Sequence, residues 1–166
     1  FDIPEHAIGE ALLPIARALG EAKEITLYDE GVAFWLDTFR PLQLHDLWST
    51  LGGWGTTPGR TLSQAVDERI KLASTVKPEA VAAAVPRREA LTDRLLDLLG
   101  DDGVIIIPTA HDLPPRRDAP VSAQIAFREK TLALTCVASL TRLPQIAIPA
   151  TSVDGCPVGL SLIGSP

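Results

Sequence analysis

The chain contains no methionine, two cysteines, three histidines and only 5% aromatic residues. Each scarcity excludes something. A complete translation product begins with Met, which is normally trimmed only before a small side chain, and Phe1 is not small. The expectation is an internal segment of a longer protein. Cys136 and Cys156 are too few for a disulfide framework, so a reducing, cytoplasmic setting is the default. His6, His45 and His111 lie far apart, with no H-E-x-x-H run and no close Cys/His pair, so no metal site is expected. A formal net charge of -6, with basic residues scattered, excludes the broad basic face that a phosphate backbone requires. No apolar run approaches the roughly 20 residues that span a bilayer. Neither nucleic acid nor membrane is therefore an expected partner.

What is present is a hydrophobic content of 46%, enough to bury a sizeable core in one domain. No repeat, low-complexity tract or Ser/Gly linker divides residues 1–166. Pro4 followed by Ile8, Leu12, Ile15 and Leu19 at helical spacing predicts a helix closed by Gly20. EITLY, from Glu24 to Tyr28, reads as a short strand. A long helix follows from Asp29, with Pro41 as a kink or break, and GGWGTTPG reads as a loop after it. TLSQAVDERIKLAS and PEAVAAAVPRREALTDRLLDLL predict two more helices, the second interrupted at Pro86. VIIIP, Val104 to Pro108, has the continuous apolar character of a strand covered on both faces. A last helix over AQIAFREKTLALTCVASLT precedes two strands, QIAIP and VGLSLIG. In the first, Ile146 and Ile148 share a face; in the second, Val158, Leu160 and Leu162 oppose Gly159 and Ser161. The fold class is α/β, with helices on both sides of a mixed sheet.

Several catalytic patterns are nearly present and fail. GLSLIG lacks the second glycine of a nucleophile elbow, because Ile163 stands there. GWGTTPGRT misses both phosphate-loop patterns: Trp54 takes the first glycine position of one, and Pro58 takes the third glycine position of the other. Cys136 lies in an apolar helical run as a core thiol, and Cys156 has no basic neighbour to activate it. The loop TAHDLPPRRDAP is the best functional candidate, since Thr109, His111 and Asp112 follow the C-terminal end of a buried strand. A solvated surface loop is the plainer reading of the same residues.

Three stretches together resemble the C-terminal half of an amidase signature family enzyme: VIIIPTA, LTCVASLTRLPQIAIPA and DGCPVGLSLIG. They are similar to the family's buried strand ending in Pro-Thr, its stretch leading into the next strand, and its DG-x-PVG-x-x-LIG stretch. PPRRDAP and AFREKTLALTC are similar to the indoleacetamide-hydrolase-like branch. Ser139 and Arg142 replace the family's usual asparagine and glycine. The resemblance implies hydrolysis of a small carboxamide to carboxylate and ammonia by a lysine, a cis-serine and a nucleophilic serine, without a cofactor. In the family those three precede or lie within a Gly/Ser-rich tract, and none of Lys23, Lys71, Lys77 and Lys130 precedes such a tract here. No catalytic residue is carried over, so residues 1–166 are expected to be the C-terminal portion of one amidase domain, inactive alone. The resemblance makes Thr109, His111 and Trp48 candidate residues of the acyl pocket wall. It implies a small-molecule amide as partner and allows a homodimer of the full-length parent. Two rivals share the fold: a glutaminase subunit of an amidotransferase, and a non-catalytic scaffold or receptor domain.

Overall fold

The computed structural model describes residues 3–166. Five helices and three strands follow in the order α1 His6–Ala18, α2 Val32–Gly55, α3 Gln64–Ala73, α4 Pro78–Leu99, β1 Val104–Pro108, α5 Val121–Thr141, β2 Gln145–Val153 and β3 Cys156–Gly164. The sheet order is β1-β3-β2. β2 and β3 form a hairpin closed by Asp154 and Gly155, both at positive φ (49° and 77°), the backbone that a two-residue turn of this hand demands. α5 carries the chain from β1 to β2, which run the same way, but β3 inserts between them. Both ladders are therefore antiparallel among the described residues, where a mixed sheet was expected. The α/β class stands, with helices on both faces.

Alternation along the strands sorts the core into two layers. Val158, Leu160 and Leu162 turn to the face where α1 presents Ile8, Leu12 and Ala16. Ile105, Ile107 and Ile163 turn the other way, against Trp35 and Phe39 of α2, Leu95 of α4, and Val137 and Leu140 of α5. Ile146 and Ile148 share the α1 face, as the spacing predicts, through their partners Leu162 and Leu160. β2 is an edge strand, and Gln145, Ile146, Ala147 and Pro149 are exposed.

Four local expectations change. EITLY is irregular, because the carbonyls of Thr26 and Leu27 accept bonds from the Arg94 guanidinium at 2.9 and 2.8 Å instead of from a neighbouring strand. Arg94 also reaches Asp29 at 2.6 Å, tying the segment to α4. The GGWG stretch belongs to α2: the Trp48 ring lies where a Cβ on Gly52 would come within 2.6 Å, so glycine there makes room for packing rather than for a turn. Pro41 and Pro86 sit inside α2 and α4, which continue through them because buried residues on either side hold both helices to the core. α1 begins at His6, leaving Pro4 outside it, and ends one residue before Leu19, with Gly20 just beyond.

Arg142 ends α5 in the left-handed conformation (φ 60°). A glycine takes that backbone without strain, whereas a side chain there costs roughly 1 kcal/mol.

Candidate functional site

The end of β1, the start of β3 and the middle of β2 converge at one end of the sheet. Between them and the loop after β1 lies an open cleft of about 360 Å³. Its walls are mostly apolar, with Ile8, Phe127, Ile148 and Pro149 among them, and Thr109 and Asp112 supply polar groups. The sequence-predicted Thr109 therefore stands at the cleft. Its amide donates to the Gly159 carbonyl at 2.9 Å, which continues the β1–β3 ladder one residue past the strand.

His111 is 3% exposed and lies behind the wall. Its ring is 4.8 Å from that of Phe127, and its Nδ1 is 3.0 Å from Thr131 Oγ1 on α5. The Glu5 amide donates to the His111 carbonyl at 2.7 Å, while Lys130 Nζ donates to Glu5 Oε1 at 3.2 Å. Together these bonds tie the start of α1, the loop and α5 into one post. Glu5, His111 and Asp112 present ligand atoms within 4.8 Å of one another, yet the Lys130 ammonium already occupies the Glu5 carboxylate. The arrangement suits an ion pair beside a neutral imidazole. Trp48 lies elsewhere, in the C-terminal half of α2 and partly exposed against Gly52.

Burial and the Lys130 ammonium push the His111 imidazole below its ordinary range, against the pull of Asp112 and Glu5. The folded protein therefore holds His111 neutral, while the unfolded chain protonates it near about pH 6.5. Stability from this group is present above that pH and is lost as pH falls through it. Between about pH 7 and pH 5.5, the melting temperature of the full-length protein should drop more steeply in wild type than in His111→Gln. Parallel curves for the two would remove His111 as the cause.

A second group, which the sequence pattern does not assemble, centres on Ser161. Ser161, 1% exposed, has Thr109 Oγ1 at 3.1 Å and accepts from Gln145 Nε2 at 2.9 Å. Alternation puts Ser161 opposite Leu160 and Leu162, but the partners come from just past β1 and from β2, and only the strand order reveals them. Among the described residues no lysine or histidine bonds to Ser161, so nothing there would activate it as a nucleophile.

These features define an α/β protein whose helix-covered sheet ends in an apolar cleft marked by a few polar groups. Residues 3–166 match the Amidase family, and the chain belongs to that family. It is 29% identical over 126 residues to Amidase 1 of Arabidopsis thaliana, covering 76% of this chain and 30% of that protein. It is also 26% identical over 123 residues to the mitochondrial Outer envelope protein 64 of Arabidopsis thaliana, covering 74% of this chain and 20% of that one. A crystal structure of an amidase superimposes with a TM-score of 0.68 at 24% identity, over 96% of this chain and 37% of that one. The chain thus spans less than a third of the length of these two relatives.

Proposed function

We infer that residues 1–166 form the C-terminal portion of a single amidase domain, in a parent enzyme that hydrolyses a small carboxamide to carboxylate and ammonia. The observation that carries this reading is the cleft: an apolar pocket at the strand ends, in a chain of the Amidase family, with no activated serine nucleophile at it among the described residues. The remaining chemistry then comes from a lysine, a cis-serine and a nucleophilic serine upstream. Neutral lysine, relaying through the cis-serine, takes the proton of the attacking serine, and backbone N–H groups hold the oxyanion while the acyl-enzyme forms. Thr109 and His111 belong to the acyl side of the pocket in this reading, Thr109 at its surface and His111 as its support. The indoleacetamide-hydrolase-like branch remains our reading of the Arg116-Arg117-Asp118 loop and the Phe127-Arg128 pair. Two free thiols, Cys136 and Cys156, agree with a cytoplasmic protein. No described helix is long and apolar enough to cross a membrane.

The test is ammonia release from a panel of aliphatic, aryl and arylacetic amides by the full-length protein and by the 166-residue chain alone. Turnover is expected for the first only. The isolated chain should also self-associate, because the β2 edge and Ile146 are uncovered. Complete inactivity of the full-length protein on the panel would remove the hydrolase reading. It would favour the reading as a non-catalytic scaffold or receptor domain.

A further inference from the structure

Hydrogen-bond direction adds information to the cleft that its shape does not carry. An amide nitrogen only donates, so the Gln145 Nε2 bond of 2.9 Å makes Ser161 Oγ an acceptor. Ser161 is 1% exposed, and a buried hydroxyl proton needs an acceptor of its own. The partner at hand is Thr109 Oγ1, 3.1 Å away. Ser161 therefore donates to Thr109, and the Thr109 oxygen accepts.

Thr109 is left with one proton of its own, which has no protein acceptor among the described residues. Its side chain is half-buried at the cleft wall, so that proton has the cleft to point into. The chain Gln145 to Ser161 to Thr109 runs one way, and each bond polarises the next, which strengthens the terminal donor. Gly159 keeps the position open: a Cβ there would stand 3.3 Å from Thr109 Oγ1. Around this donor the walls are apolar, and Asp112 is the one ionisable side chain among the lining residues.

We propose that the cleft binds a neutral, apolar ligand group carrying a hydrogen-bond acceptor, a carbonyl or ether oxygen, which takes the proton of Thr109. Asp112 excludes anionic counterparts by repulsion. Thr109 is then a specificity-determining residue, which selects acceptor-bearing groups over plain hydrocarbons. This refines the amidase reading and, as a statement about substrate, rests on it.

The test separates binding from turnover. Acetophenone, ethylbenzene and benzoate are titrated into the full-length protein and followed by ligand-detected NMR, for wild type, Thr109→Val, Thr109→Ser and Ser161→Ala. Thr109→Val should weaken acetophenone about tenfold, the upper scale of one neutral hydrogen bond, and leave ethylbenzene unchanged. Thr109→Ser should recover the acetophenone affinity. Ser161→Ala should lower it, because Thr109 then loses the donor that polarises its hydroxyl. Benzoate should bind more weakly than acetophenone to every variant. Equal loss of both neutral probes in Thr109→Val would make Thr109 a packing residue, and no loss of either would place the ligand elsewhere; both overturn the proposal. Selective loss in a protein that hydrolyses no amide would keep the donor inference and discard the hydrolase reading. Hydrolysis with unselective loss would do the reverse.

Discussion

Replacing Gly159 with alanine is expected to destabilise the full-length protein by about 3 kcal/mol, at the upper end of what one added methyl group costs in a packed site. A Cβ at this position would lie 2.6 Å from the Ile148 carbonyl oxygen, closer than a carbon and an oxygen can approach. That oxygen is part of the β2 backbone, so no side-chain rotation relieves the contact. Either the β2–β3 register at Pro149 and Gly159 opens, or both strands bend away from each other. The same movement would displace Thr109, whose amide is bonded to the Gly159 carbonyl at 2.9 Å, and so would distort the cleft. Gly164→Ala is the control. It lies on the same strand with nothing within 4 Å of the added carbon, and it should change stability by no more than about 0.5 kcal/mol. Urea denaturation of both variants measures the difference. A Gly159→Ala protein as stable as the control would mean that the strands here have room the structure does not show.

How much of this was legible in the sequence follows from the range of the forces involved. The three strands and five helices could be read because their apolar spacing is local. Val104 to Pro108 has too many consecutive apolar residues for an exposed strand, and Leu160/Leu162 alternate with Ser161. EITLY misled for the opposite reason. Its alternation is as good as that of a real strand, but Arg94, 67 residues from Leu27, takes the carbonyl that a strand partner would need. GGWG misled because glycine signals both a turn and a close approach, and the Trp48 ring selects the second meaning.

The candidate site divides along the same line. Thr109 could be found because strand ends are where α/β proteins place ligands, a rule that needs only a strand and its direction. Ser161 and Gln145 could not be found as its partners. Their meeting depends on β3 lying between β1 and β2, and strand order is not a local property. Trp48 is a candidate for the acyl pocket wall by resemblance, and its ring lies instead against Gly52, one helical turn away and outside the cleft lining.

The second large effect lies beneath the sheet. Trp35 is fully buried, meets Tyr28 edge-on at 5.4 Å with an interplanar angle of 84°, and belongs to the same cluster as Ile105, Ile107 and Ile163. Its Nε1 is the one buried side-chain polar atom without a hydrogen bond among the described residues. Trp35→Ala removes the largest fully buried side chain and should cost about 3–5 kcal/mol, more than a single hydrogen-bond loss. Trp35→Phe is different in kind: it also leaves a void, but it removes an unpaired donor whose burial costs about 1–3 kcal/mol. The two terms oppose, so Trp35→Phe should stay within about 1 kcal/mol of wild type. A second readout follows the cavity itself. Burial, with a smaller contribution from Cys136, pushes the Tyr28 phenol well above its usual range, and burial pushes the Cys136 thiol up to about 12. Water entering the space left by Trp35→Ala should bring both back toward ordinary values, and Trp35→Phe should leave them high. Denaturation curves and ultraviolet titration of Tyr28 in the full-length variants test this ordering. If Trp35→Phe proved as costly as Trp35→Ala, the indole N–H would have to be making an interaction that stabilises the core, and the opposition of terms would fail.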